Sequence, residues 1–313
     1  MKYAHIVQYV ATTPWAILPE KLSEIVAVLA FRAAGQAFTP EEIQAQIGAR
    51  AAGARAPSGS VAVIPIRGTI AHRLGSMEAS SGGTSAEGIT AMLRQVAADD
   101  TIGTIVYDVD SPGGTVPGIQ ELAAEMFALR GVKHQIAVAN STMASAAYWL
   151  ASQADDIVSI PSGRVGSIGV FAAHEDLSAA LEKEGIKVTL ISAGKHKVEG
   201  NAFAPLSEEA RAFMQDRVDA VYGQFVKDVA RGRGVSVSDV KGGYGEGRAL
   251  DAKAAKAAGL VDRIGTMDET LGRIVGRTPA GRLRAELPAA ALAAALVADE
   301  DADADRARRR RML

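Results

Sequence analysis

Two short stretches carry the residue types of nucleophilic catalysis. In NSTMASAAYWLASQADDI (140–157), Ser145 lies between Ala144 and the pair Ala146 and Ala147, at the expected start of a helix after an apolar run. Small neighbours leave room for a substrate backbone to approach the hydroxyl. The N–H of the residue after a nucleophile, here Ala146, is a ready oxyanion donor. In DVDSPGGTVPG (108–118), a strand runs into Pro112 and the paired glycines Gly113 and Gly114. Glycines at such a turn present backbone N–H groups with no Cβ in the way, which suits a developing negative charge. Each stretch also has a purely structural reading: a tight turn for the glycines, and helix capping for Ser145 or its neighbour Ser141.

A serine hydroxyl needs a base within hydrogen-bond reach. The five histidines (5, 72, 134, 174 and 196) form no recognisable nucleophile–His–acid pattern. Lysine is the other option. SAGKHKVEGNAFAPLS (192–207) sets Lys195 and Lys197 in a glycine-bounded loop. A lysine base must be neutral, so its ordinary pKa of ~10.4 has to fall to about 7–8, a shift worth about 4 kcal/mol. Val198, Ala202 and Phe203 are the apolar neighbours available to desolvate it. The chain has no cysteine, which excludes thiol catalysis, disulfides and thiolate metal sites.

These residues have to be positioned by an α/β pattern that runs from Val61 to about Val275. Short apolar runs at 61–66, 104–109, 135–139, 156–160 and 187–191 predict strands. Between them, 85–98, 117–130, 145–154 and 176–184 have helical character. The spacing predicts a long helix over Ser207–Arg231, capped by Ser207, with apolar residues from Phe213 to Val229 and a stop at Gly232. Upstream, residues 1–57 hold helical patterns at Pro19–Phe31 and Pro40–Ile47 and a linker at 49–59. Residues 279–313 form an Ala-rich, then acidic, then basic tail. Three parts follow: 1–57, a catalytic α/β domain at 58–278, and the tail at 279–313.

The 313 residues, 48% hydrophobic and 22% charged, suffice for a globular core. A net charge of −2 argues against nucleic-acid binding by the body. The apolar stretch Ile25–Phe31 is far short of the ~20 residues of a membrane span, and no signal-peptide pattern opens the chain. A cytoplasmic protein with no membrane partner is the expectation.

The ordered motifs SPGG (111–114), TMAS followed by two small residues and Tyr148, GSIGV (166–170), ALEKEGIKVTLI (180–191), GKHKVEGN (194–201) and GRALDAKAAKAAGLVDRIG (247–265) resemble the signal peptide peptidase A family. Within it, they are most similar to the head-maturation proteases of tailed phages. The resemblance covers about residues 61–265 and implies a Clp protease/crotonase-like fold, with repeated ββα units in an open mixed sheet flanked by helices. It makes Ser145 the nucleophile and Lys197 the general base of a Ser–Lys dyad. Ser167 becomes the residue that orients the lysine, and Ala146 with Gly113 or Gly114 the oxyanion hole. One departure is that Ala146 and Ala147 stand where the family often has two glycines, which narrows the cleft. No metal or organic cofactor is implied.

The same resemblance implies a homo-oligomer cutting polypeptides near small residues, and a prohead protease acting on scaffold and major capsid protein in the host cytoplasm. ELPAAALAAALVA (286–298) then offers a self-cleavage site between Pro288 and Ala298. The alternatives are a soluble signal-peptide-peptidase-like host protease, a crotonase-like acyl-CoA enzyme, and a catalytically inactive capsid subunit.

Overall fold

The computed structural model describes residues 14–33, 61–73 and 83–277. The helical pattern at 40–47, the linker, the tail and its expected cut site lie outside the described residues.

The main sheet is built on β2 (Val61–Arg67), β5 (Thr104–Ser111) and β7 (His134–Ala144), all parallel. At its far end, β7 splits its pairing. Its first half meets β8 (Asp156–Ser159) and its last three residues meet β9 (Arg164–Gly166), both parallel. β10 (Ala249–Asp251) closes onto β9 antiparallel, and β11 (Arg263–Ile264) extends β8. A second, smaller sheet has the order β1 (Trp15–Ile17), β6 (Gly113–Thr115), β3 (Ile70–Ala71) and β4 (Thr84–Ser85).

Parallel strands are buried on both faces, and the side chains divide accordingly. Ile64, Ile66, Ile105, Tyr107, Val109, Ala137 and Ala139 enter the large core. There they meet α2 (Ala86–Ala97) through Ile89 and Leu93, and α3 (Ile119–Ala128) through Leu122 and Met126. Val61, Val106, Ile136, Val138 and Val158 face the opposite way, under Met267, Leu271 and Ile274 of α9 (Met267–Arg277). Helices thus cover both faces of a mostly parallel sheet, the mixed α/β arrangement that the sequence pattern predicts.

Four of the five predicted strand runs form strands. The exception is Lys187–Ile191, which joins no strand and leaves Ile191 96% exposed. Its β-branched residues have strand propensity, but a strand needs a neighbouring edge, and none of this chain's described strands supplies one. The whole stretch from 172 to 206 lies over solvent and contains one short helix, α5 (Ser178–Lys183).

The long helix α6 (Glu208–Arg233) starts as predicted, with Ser207 Oγ accepting from the Ala210 N–H. Its end differs. Gly234, at φ 65°, is the left-handed cap, and Gly232 lies inside the helix. A Cβ on Gly232 would stand 2.1 Å from the Ser152 carbonyl oxygen, so this glycine permits close packing rather than termination. Apart from Ala210 in the first turn, the burial of α6 is in its C-terminal half, through Phe225, Val226 and Val229; Phe213 is exposed.

Candidate active site

Ser145 joins β7 to α4 (Ala146–Ala151) at φ 55° and ψ −120°, a conformation that costs a non-glycine residue of order 1–3 kcal/mol. Its side chain does not cap the helix; Oγ instead donates to the Gly169 carbonyl at 3.4 Å. A strained serine at a sharp strand-to-helix turn has the geometry of a nucleophile elbow. The surroundings hold it there. The Ser145 N–H donates to Gly166 O at 2.7 Å, every residue of α4 is buried, and Tyr148 Oη donates to Leu260 O at 2.9 Å. Ser141 does not cap either; it lies on β7 and donates to Asp110 at 3.0 Å.

The two glycines divide their tasks. The Gly113 N–H donates to Ser111 Oγ at 3.2 Å and is thereby engaged. Gly114 stands opposite Ala16 in the antiparallel pairing of β1 with β6. Leu18 N–H donates to Pro112 O at 2.9 Å, and Trp15 exchanges both backbone hydrogen bonds with Phe171 on the other side, at 2.8 and 3.0 Å. Since bonded and non-bonded pairs alternate, the Ala16 carbonyl and the Gly114 N–H face each other. The N–H of Ala146, the first residue of α4, has no acceptor one turn back. Neither glycine admits a side chain. A Cβ on Gly113 would lie 2.2 Å from Ala16 O, and one on Gly114 would lie 1.7 Å from Ile70 O.

Ser167 is buried and adjacent to the Ser145 contact at Gly166. It too has a positive φ of 54°, and its N–H donates to Arg248 O at 2.9 Å. Ser145, Gly113, Gly114, Ala146 and Ser167 therefore share one locality. Lys197 does not join them within the chain. It is exposed on the stretch between β9 and α6, and no hydrogen bond links it to Ser145 or Ser167. Its neighbours are committed elsewhere. Lys195 Nζ donates to Glu209 at 2.8 Å, which holds its ammonium above the ordinary lysine value. His196 bonds Glu199. Polar atoms of His196, Glu199 and Glu209 lie within 4.8 Å of one another, but Lys195 already neutralises the Glu209 carboxylate.

Residues 15–18 are the part of the site that the sequence motifs did not disclose. They lie between β6 and Phe171, and Ser145 is 0% exposed beneath this cover. The available signal was a short apolar run, WAIL, bracketed by Pro14 and Pro19.

A strained serine at a strand-to-helix turn, packed against a glycine strand, has the layout of a nucleophile elbow in an α/β fold. Residues 128–275 match the profile of Peptidase family S49, so this stretch is an S49 peptidase domain with a fold of the Clp protease/crotonase type. The chain is 39% identical over 204 residues to the head-tail preconnector protein GP5 of Enterobacteria phage P21, covering 65% of this chain and 40% of that protein. It is 36% identical over 231 residues to the capsid assembly protease C of Escherichia phage lambda, covering 72% and 53% respectively. A more distant relative is the chloroplastic serine protease SPPA of Arabidopsis thaliana, 27% identical over 212 residues, covering 67% of this chain and 31% of that protein. The chain spans about half the length of the two phage proteins. Among the described residues, no helix is long and apolar enough to cross a membrane.

Proposed function

We propose that this chain is a serine endopeptidase acting through Ser145 and an acyl-enzyme, with residues 58–278 as its catalytic domain. The observation that carries the reading is the strained, non-capping conformation of Ser145 against the Gly113–Gly114 strand. Gly114 and Ala146 donate to the oxyanion, and Gly113 shapes the turn. Lys197 is the base and Ser167 orients it. No cofactor enters this chemistry.

Lys197 reaches the serine of a neighbouring copy in a homo-oligomer. Two features support this: the exposure of Lys197, and the uncovered apolar side chains on the same 186–213 part of the chain. Ile186, Leu190, Ile191, Phe203 and Phe213 all stand in solvent, and together they form the kind of surface that association buries. The substrates are polypeptides. The similarity to the capsid assembly protease of phage lambda favours capsid and scaffold proteins, processed in the host cytoplasm. A signal-peptide-peptidase-like role is the weaker reading, because the phage relatives are the more similar in sequence.

A serine-directed fluorophosphonate tests the nucleophile: it labels the wild type and not Ser145→Ala. Mixing tests the shared site. Ser145→Ala and Lys197→Ala chains, each inactive, regain activity together because some sites receive one intact serine and one intact lysine. Failure to recover activity in mixed oligomers shown to exchange subunits would place both residues in one chain.

A further inference from the structure

The strand β1 covers the nucleophile and pairs in register with β6, its Ala16 opposite Gly114. Ala16 O lies 2.2 Å, and Ser145 Cβ 2.9 Å, from the point where a Cβ on Gly113 would stand; by addition, these two atoms are no more than 5.1 Å apart. The same carbonyl faces the Gly114 N–H, the donor left free when Gly113 bonds Ser111. The strand is held on both edges, by β6 and by Phe171 just beyond GSIGV, as a peptide is held when it adds a strand to a cleft.

The side chains alternate to match. Trp15 and Ile17 turn outward into a small cluster with Leu22, Ile25 and Phe171. Ala16 points inward to the main core and is 0% exposed, in a space that holds a methyl group. The cover on Ser145 therefore presents a small residue whose carbonyl faces the Gly114 N–H and lies close to the Ser145 side chain.

We infer that the Ala16–Ile17 peptide bond is a self-processing site and that the chain with residues 1–16 attached is a latent form. The inference rests on the peptidase reading above. Ser145 Oγ adds to the Ala16 carbonyl carbon, and its proton passes to the neutral lysine. The C–N bond to Ile17 breaks, and the lysine returns the proton to the leaving nitrogen, which becomes the new amino terminus. Water then hydrolyses the ester, releasing residues 1–16 with a free Ala16 carboxylate and restoring Ser145. Because the lysine comes from a second copy, the cut waits for assembly.

Intact-mass measurement of the full chain, assembled and incubated, tests the inference. The wild type is expected to yield a chain beginning at Ile17 and a 1–16 fragment, and Ser145→Ala to keep its amino terminus. Fluorophosphonate labelling of Ser145 should accelerate at least tenfold once the cut is complete. Three results would overturn the inference and leave the peptidase intact: an enzyme that degrades casein with the Ala16–Ile17 bond whole, a cut elsewhere in the segment, or labelling equally fast before and after. Cleavage that persists in Ser145→Ala would overturn it too. Absence of labelling, casein hydrolysis and cleavage together would instead remove the peptidase reading and this inference with it.

Discussion

The indole Nε1 of Trp149 donates to the Asp228 carboxylate at 2.9 Å, and the same ring stacks on Phe225 with centroids 4.5 Å apart. Trp149 lies on the helix that begins right after the nucleophile, and its two partners lie on α6. One side chain thus ties the two helices through a polar and an apolar contact. Trp149→Phe keeps most of the packing and removes the donor, leaving Asp228 short of one partner. The expected cost is about 1–3 kcal/mol, seen as a lower urea midpoint at unchanged slope. An unmoved midpoint would mean that Gln224, at 3.1 Å, and Arg231, at 3.3 Å, satisfy the carboxylate by themselves.

The loop with two lysines and a histidine makes a sharp distinction testable. Lys195 is held protonated by Glu209 and is a poor proton acceptor. Lys195→Ala and His196→Ala are therefore expected to retain most peptidase activity, whereas Lys197→Ala loses it. The readout is the hydrolysis rate of folded, assembled protein. An inactive His196→Ala beside an active Lys197→Ala would replace the dyad by a Ser–His pair.

Side-chain substitution cannot test the oxyanion donor cleanly. Any Cβ at Gly114 meets the Ile70 carbonyl, and Gly113 at φ 101° is closed to L residues and to proline. An amide-to-ester exchange at Gly114 removes only the N–H. It should lower kcat by about 10²–10³ with the fold retained, and the same exchange at Gly113 should cost far less. Equal effects at the two positions would count against the division of labour between them.

Stability should fall with acid at one identifiable pair. Burial alone would raise the Asp262 carboxyl, but hydrogen bonds from Arg233, at 2.6 and 3.0 Å, and from the Ile157 N–H, at 2.7 Å, outweigh it and hold the group below its usual range. A carboxylate depressed in the folded state stabilises above its unfolded pKa of about 3.9, and that stability is lost as pH falls through the folded value. Wild-type Tm should therefore drop more than that of Asp262→Asn between pH 5 and the acid limit. The exposed part of the pair makes this difference smaller in high salt. Parallel curves would show that Asp262 adds nothing to acid sensitivity.

The sequence disclosed those features whose cause is local. Ser207 was legible as a cap because capping depends on residues three positions apart. The strands at 61–67 and 104–111 were legible because short runs of β-branched and apolar residues dominate them, a local signal that Asp108 interrupts without erasing. Gly232 was misread as a stop, because its cause is a carbonyl from Ser152, distant in sequence. Its substitution should be the more damaging one. Gly232→Ala drives a methyl into that carbonyl, whereas Gly234→Ala meets no atom within 4 Å and suffers only the strain of φ 65°. A larger loss of denaturation midpoint for Gly234→Ala would reverse this ranking. The KVTLI run failed as a strand for the same non-local reason, the want of a partner edge. The cover formed by Trp15–Leu18 escaped too, since a three-residue strand far upstream carries no motif of its own.

The half-buried state of α6 gives this helix two regimes of motion in a lone chain. Backbone amides around Phe225 to Val229 sit within the core and open only when the domain unfolds, so their hydrogens exchange with solvent last. Those near Phe213 share the same helical ladder but, among the described residues, pack beside the exposed segment around His196–Gly200. Their exchange is governed by fraying of the helix end, a far cheaper event. If copies associate over Phe213 as proposed above, the frayed end would become an interior, and the helix would turn from a lever anchored at one end into a beam held at both.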